Sequence, residues 1–206
     1  MIKNLLFDFG GVLYNLDFKK TFSAFEALGF SGFEDNMFSQ YTADPLFQSL
    51  ETGKISPEAF YDHIKQIAPE PVTDEQIKNA WNAMLIDFRV PSLDFLVSLK
   101  KEYNLFLLSN TNQIHYDHFS AQLQRQTSYH SLNDFFTKAY YSHVIGLRKP
   151  DTEVFEFILQ DAAIKAAETL FIDDSHTNFP NAEKLGMKIH LLTPGTLIEN
   201  INYQQF

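Results

Sequence analysis

The chain of 206 residues contains no cysteine. It therefore has no disulfide framework, no thiolate nucleophile and no cysteine-rich zinc site, and the cytoplasm is its default compartment. Basic charge is scarce as well. Sixteen Lys and Arg against 26 Asp and Glu leave a formal net charge of −10, with no Lys/Arg cluster that would mark a nucleic-acid footprint. Apolar runs are strand-sized at most, so nothing is long enough to span a membrane. Met1-Ile2-Lys3-Asn4 leads straight into a strand, without the apolar stretch and small-residue cleavage site of a signal peptide. Repeats and low-complexity segments are missing too. No nucleic-acid or membrane partner is expected, and the working unit is taken to be a monomer or weak homodimer.

What the chain does have is apolar bulk: 45% hydrophobic residues, including 21 Phe and 9 Tyr, enough for one substantial core or a core plus a smaller inserted unit. Its organising stretch is Lys3-Asn4-Leu5-Leu6-Phe7-Asp8-Phe9-Gly10-Gly11-Val12-Leu13. The apolar run reads as a short strand covered on both faces, as in the middle of a parallel sheet. Asp8 then sits at its carboxyl end, where open α/β sheets bind ligands. Either it caps the turn into Gly10-Gly11, or its charge is compensated by a cation, a metal or donors supplied further along.

After Leu13 the pattern becomes helical. Phe18, Phe22, Phe25 and Leu28 share a face, with Asp17 as N-cap and Gly29 as terminator. Ser56-Pro57-Glu58 and the capping box Thr73-Asp74-Glu75-Gln76 open two further helices, the second carrying Ile77, Trp81, Met84 and Leu85 on one face. Residues 15–89 thus read as an all-helical insert between segments 1–14 and 90–206. From Pro91 onward helix and strand alternate: strands are expected at Leu105–Leu108, Lys138–Ser142, Thr169–Ile172 and Met187–Leu192, followed by a polar tail. The fold class is α/β, a doubly wound parallel sheet whose first loop has accepted a helical insertion. Asp8, Ser109, the loop with Lys149, and Asp173-Asp174 then share one sheet edge.

Three carboxylates, one Lys and a Ser-Asn pair at that edge, without cysteine or clustered histidine, suit Mg²⁺ and phosphate: hard oxygen donors select Mg²⁺, which binds through one or two carboxylates plus a substrate phosphate. Lys149 and metal would neutralise phosphoryl oxygens, and Ser109 and the backbone N–H groups after it would donate to them. Asp8 would be left to attack phosphorus.

The segments Phe7-Asp8-Phe9-Gly10-Gly11-Val12-Leu13, Leu107-Leu108-Ser109-Asn110-Thr111, Arg148-Lys149-Pro150-Asp151 and Phe171-Ile172-Asp173-Asp174-Ser175 resemble, in order, the four motifs of the haloacid dehalogenase-like hydrolases. The resemblance covers nearly the whole chain and implies a Rossmann-like core with a helical cap. It makes Asp8 the nucleophile and, with the Gly10 carbonyl and Asp174, a metal ligand. It assigns Gly11, Ser109, Asn110 and Lys149 to the phosphoryl group, Asp173 and Asn178 to support of the metal site, Mg²⁺ as cofactor and a small phosphorylated metabolite as substrate. Most phosphatases of the family carry an acid two residues after the nucleophile, and here that position is Gly10. Through this Gly, Ser109-Asn110-Thr111-Asn112 and Glu51-Thr52-Gly53-Lys54-Ile55-Ser56, the chain is similar to the branch containing bacterial α-glucose-1-phosphate phosphatase. That branch points to sugar 1-phosphates, whose leaving group needs less protonation.

Three rivals stand beside the phosphatase. Carbon–halogen cleavage needs no leaving-group acid but has little use for Asp173-Asp174. Carbon–phosphorus cleavage would want a Schiff-base lysine among Lys19, Lys20, Lys54, Lys65 and Lys78. A binding module that retained the pocket without turnover is the third. Among other residues, His176 is read as a solvated or capping group and His115 and His118 as partly exposed surface. The aromatics Phe18, Phe22, Tyr41 and Phe47 are read as packing of the insert, with none singled out for substrate.

Overall fold

The apolar runs at Asn4–Phe7, Asn104–Ser109 and Thr169–Asp173 become central strands because they bury both of their faces, while Lys138–Tyr141 and Lys188–Leu191 form the more exposed edges. The structure, a computed structural model, describes residues 1–31 and 45–206. Strands β1 (Asn4–Phe7), β4 (Asn104–Ser109), β5 (Lys138–Tyr141), β6 (Thr169–Asp173) and β7 (Lys188–Leu191) form one parallel sheet in the order β5-β4-β1-β6-β7. Alternate residues divide between two clusters. Leu5, Phe7, Leu105, Leu107, Leu170 and Ile172 pack on one side with Leu93, Leu96, Leu99, Phe119 and Leu123. Leu6, Phe106, Leu108 and Phe171 pack on the other with Val154, Phe155, Ile158 and Phe179. This is the period-two alternation of a sheet covered by helices on both faces, here α5 (Val90–Leu99) and α6 (Gln113–Gln126) on the first, α8 (Thr152–Asp161) and α9 (Phe179–Lys184) on the second. A short helix α7 (Ser142–Ile145) lies between β5 and α8. The central strand β1 thereby carries Asp8 to the middle of the carboxyl edge.

The stretch between β1 and α5 contains α1 (Phe18–Ala27), α2 (Pro45–Glu51), α3 (Pro57–Ile67) and α4 (Asp74–Asn82) among its described residues. Phe22, Phe25, Phe47, Leu50, Phe60, Ile64, Ile77 and Trp81 bury one another in a cluster of their own, which Ile114 of α6 joins from below. The caps are those of the sequence: Asp17 accepts from Lys19 N, Ser56 from Ala59 N, and Thr73 and Gln76 form the reciprocal box. Tyr41 lies outside the described residues.

Two features depart from the expected pattern. The stretch 15–89 is not helical at its ends: β2 (Tyr14–Leu16) and β3 (Leu85–Phe88) pair antiparallel, so Leu85 belongs to a strand rather than to the face of α4. The chain leaves and re-enters the core through adjacent segments, and pairing them satisfies backbone groups that would otherwise be buried without partners. Asn15 Nδ2 donates to Asp87 Oδ1 at 2.6 Å, and Arg89 Nε to Asn15 Oδ1 at 2.8 Å, which fixes this two-stranded neck. The C-terminal tail, in turn, is not a polar appendage. Ile198, Ile201 and Tyr203 are buried in the first core cluster, and Ser92 Oγ donates to the Glu199 carboxylate.

Candidate active site

The ends of β1, β4 and β6 and the loop carrying Lys149 deliver groups to one cavity of about 220 Å³, lined by Asp8, Gly10, Ser109, Asn110, Lys149, Asp174 and Asn178 from the core and by Leu16, Phe18, Glu51, Trp81 and Met84 from the neck and insert. Asp8 is 8% exposed and Lys149 only 2%. Lys149 Nζ donates to Asp8 Oδ1 at 2.5 Å, to Asp173 Oδ2 at 2.8 Å and to Leu108 O at 3.1 Å, which satisfies all three of its protons. Asp173, wholly buried, is occupied by protein donors: Lys149, the backbone N–H of Ser175 and the Asn178 amide, which lies 3.0 Å from both carboxylate oxygens. It acts as counter-ion to the lysine, held by Asn178.

Asp8, Asp173 and Asp174 each bring a carboxylate oxygen within 4.8 Å of the others. Crowding the acids under cover raises the proton affinity of Asp8 and Asp174. Burial pushes the Asp8 carboxyl well above its ordinary value, Asp173 and Asp174 add to the shift, and Lys149 opposes it. Asp174 is raised to about 6, by burial first and then by Asp173. Burial alone would lower the Lys149 ammonium, but Asp173 and Asp8 outweigh it and hold the charge. An oxygen-only cluster with one lysine already committed is what a hard divalent cation such as Mg²⁺ fits, since it would displace the protons and relieve the mutual repulsion.

The two glycines after Asp8 differ in role. Gly11 has φ +69, and a Cβ there would overlap the Asp174 carboxylate. Its bare backbone lets β1 and β6 bring their acids together. A Cβ on Gly10 would lie 2.6 Å from Leu16 Cδ1, so the neck fills the space beside Gly10 with a methyl group.

The side chain of Asn110 is engaged within the protein: Asn110 Oδ1 accepts from Lys149 N at 2.9 Å and Asn110 Nδ2 donates to Lys149 O at 2.9 Å, so the phosphoryl contact expected of this residue falls to its backbone N–H. The amide clamps the lysine's backbone. Ser109 is 3% exposed and lines the cavity. The backbone N–H of Thr111 is taken by Ser142 Oγ at 2.9 Å.

Two groups at the cavity were not singled out from the sequence. Glu51, at the end of α2, receives Arg148 through Nε at 3.1 Å and a terminal nitrogen at 3.0 Å, tying insert to core beside Lys149. Burial raises the Glu51 carboxyl, against the pull of Arg148. The signal was spacing: Glu51 follows the buried Phe47 by four, so it shares that helix face. His115 is the other. Expected on the surface, it is 8% exposed, stacks on Trp81 with centroids 5.0 Å apart and planes 14° apart, and its Nδ1 lies 2.8 Å from Asn82 Oδ1. It precedes the buried Phe119 by four, which is the same signal. His176 is exposed, and Asp17 only caps α1. Of Phe18, Phe22 and Phe47, Phe18 lines the cavity, while Phe22 and Phe47 belong to the insert's cluster. Among the described residues no lysine but Lys149 lines it, and Lys65 and Lys78 are engaged in surface ion pairs.

Comparison with known proteins agrees with this arrangement. Residues 2–186 match the family model of haloacid dehalogenase-like hydrolases. The chain is 34% identical over 188 residues to a D-ribitol-5-phosphate phosphatase of Bacteroides thetaiotaomicron, which covers 91% of this chain and 90% of that protein. A sesquiterpene phosphatase of Aspergillus oryzae is 27% identical over 189 residues, 90% of this chain and 87% of that one. The crystal structure of a haloacid dehalogenase family enzyme of B. thetaiotaomicron, an alanine variant in complex with magnesium and inorganic phosphate, is similar with a TM-score of 0.90 at 37% identity, covering 95% of this chain and 96% of that one. Four motifs gathered at one strand edge, and a family match over nearly the whole length, make the chain a member of the haloacid dehalogenase-like hydrolases.

Proposed function

We propose that the chain is a Mg²⁺-dependent phosphatase that hydrolyses a small sugar phosphate through an aspartyl-phosphate on Asp8, with sugar 1-phosphates preferred. The observation that carries this reading is the buried cluster in which Lys149 pairs with Asp8 and Asp173 while Asp174 completes three carboxylates within 4.8 Å. Asp8, Asp174 and the Gly10 carbonyl would hold the metal, which when bound neutralises phosphoryl charge. Magnesium and phosphate in the crystal structure of the Bacteroides enzyme support that assignment.

An Asp8 carboxylate oxygen attacks phosphorus in line, and the P–O bond to the alcohol breaks as the new P–O bond forms. Ser109 donates to the phosphoryl oxygens, and the Lys149 ammonium, held by Asp8, Asp173 and Leu108 O, stabilises the charge that develops there through its own charge. Gly11 keeps the loop close enough for its backbone to flank the phosphate. Water then cleaves the acyl phosphate and frees Asp8. Asp173, Asn178 and Asn110 hold Lys149 in place throughout.

One feature favours a sugar 1-phosphate over other small sugar esters. The residue two after the nucleophile is Gly10, with Leu16 Cδ1 occupying the space beside it, so no side chain there can protonate a poor leaving group. An anomeric hydroxyl departs with less help. The cavity of about 220 Å³ suits a small ester, and Glu51, Arg148 and His115 give it polar walls. The relative named for D-ribitol 5-phosphate supports a polyhydroxylated substrate. Phosphate release is measured over sugar 1-phosphates, sugar 5- and 6-phosphates, ribitol 5-phosphate and acyl phosphates, with and without Mg²⁺, beside Asp8→Asn. The expected result is metal-dependent release, fastest with 1-phosphates and lost in the variant. Equal rates on 5- and 6-phosphates would overturn the 1-phosphate preference, and no release from any ester would overturn the phosphatase.

A further inference from the structure

His115 has no part in the chemistry just described, yet it is built into the cavity wall. Its backbone N–H is bound by the Asn112 side chain at 3.0 Å, which fixes it in the first turn of α6, directly after the Ser109 strand end. One ring face lies on Trp81, itself stacked on Phe47 at 5.1 Å, so the imidazole cannot swing away without breaking the insert's aromatic packing. One nitrogen, Nδ1, meets Asn82 Oδ1 at 2.8 Å. A carboxamide oxygen accepts, so Nδ1 carries the proton. The other nitrogen, Nε2, has no protein partner among the described residues, and the ring borders the cavity.

We propose that His115 is a specificity residue: Asn82 fixes its tautomer so that a bare Nε2 faces the cavity and accepts a hydrogen bond from one hydroxyl of the substrate's sugar. The role follows from the two ring nitrogens being distinct, because the bond made by one decides what the other can do. Burial, with His118 adding a little, lowers the imidazole to about 3, so the ring stays neutral and offers Nε2 as an acceptor throughout the physiological range. A neutral acceptor suits a hydroxyl and repels nothing, whereas an imidazolium would compete with Lys149 for the phosphate. Against the apolar remainder of that wall, Leu16, Phe18, Trp81 and Met84, an unpaired Nε2 would discriminate against an ester lacking the matching hydroxyl.

The inference rests on the phosphatase reading, and two measurements separate the fates of the two. The first needs no turnover: ¹⁵N-labelled histidine in the intact chain at pH 7 should show Nδ1 protonated and Nε2 bare for His115, assigned by its loss in His115→Phe. A protonated Nε2 would overturn the proposal. The second compares kcat/KM for the best sugar phosphate of the panel and its singly deoxygenated analogues in wild type, His115→Phe and His115→Gln, all with Mg²⁺. In the wild type one analogue should fall by roughly tenfold, the size of one neutral hydrogen bond with a buried partner left unmet. His115→Phe, which keeps the stacking ring, should treat that analogue and the parent alike, while His115→Gln, which retains an acceptor, should restore part of the difference. A merely structural role would lower all substrates together. Wild-type activity with the same hydroxyl preference in His115→Phe would overturn the inference and leave the phosphatase intact. Absence of release from every ester in the wild type would overturn both.

Discussion

Gly10 and Leu16 together occupy the place from which an acid would reach the leaving oxygen, and that pairing can be tested by exchange. The nearest atom to a new Cβ at position 10 is the tip of Leu16, 2.6 Å away, a side chain that can be shortened without touching the sheet. Gly10→Asp combined with Leu16→Ala should raise kcat on sugar 6-phosphates by at least about tenfold, within the 10²–10⁴ range of general acid catalysis, and change 1-phosphate turnover little. An unchanged ratio of the two substrates would mean that leaving-group protonation does not limit the rate. Asn110 makes a second residue-scale case. Because its amide bonds both backbone groups of Lys149 at 2.9 Å, Asn110→Ala should act through the lysine. We expect kcat to fall by about tenfold or more with KM nearly unchanged, and about 1–3 kcal/mol of stability to be lost with the unmet buried groups, read by urea denaturation. Sequence alone placed Asn110 at the correct strand end but not its amide, since a residue beside a phosphate site and one that holds the phosphate's lysine look identical in one dimension.

At the scale of elements, the insert meets the core through the neck of β2 and β3, through Ile114, through His115 against Trp81 and Asn82, and through the Glu51–Arg148 pair at 3.0 Å. Among the described residues the ion pair and the Asn82–His115 bond are polar contacts between insert and core at the cavity, and the ion pair is the charged one. Glu51→Gln keeps the shape but removes the charge. It should raise KM by about tenfold, equivalent to about 1.4 kcal/mol, with a smaller loss in kcat, and should increase protease cleavage in the insert. Equal KM values would show that the pair contributes nothing to closure. The elements themselves were largely legible: β1, β4 and β6 announce themselves as apolar runs buried on both faces, and α3 and α4 by Ser56-Pro57 and the Thr73–Gln76 box. The neck was not, because Tyr14-Asn15-Leu16 and Leu85-Ile86-Asp87-Phe88 are too short and mixed to show a period. The tail escaped for a related reason, as Ile198, Ile201 and Tyr203 are buried by loops and short turns that lie against the sheet's helices without any regular spacing.

For the molecule as a whole, gathering Asp8, Asp173 and Asp174 under cover ties stability to pH and to metal. A carboxyl raised in the folded state, as Asp174 is to about 6 by burial and by Asp173, binds a proton there more tightly than in the unfolded chain, whose Asp titrates near 3.8. Between those values the folded state holds more protons, so the group's contribution falls as pH rises, and above about 6 it stands as a net cost. Asp8, raised for the same reasons, extends that trend to higher pH. Mg²⁺ must displace these protons, so its apparent affinity should weaken as pH falls through about 6 and its binding should release protons, measurable by calorimetry in buffers of differing ionisation enthalpy. The same linkage gives a thermal signature: saturating Mg²⁺ should raise Tm more at pH 8, where Asp174 is ionised beside its neighbours, than at pH 5, where a proton already neutralises it. Asp174→Asn should flatten that dependence while leaving the metal-free chain more stable at pH 8 than the wild type. A Mg²⁺ effect on Tm that is the same at both pH values would show that the cation binds somewhere other than this carboxylate cluster.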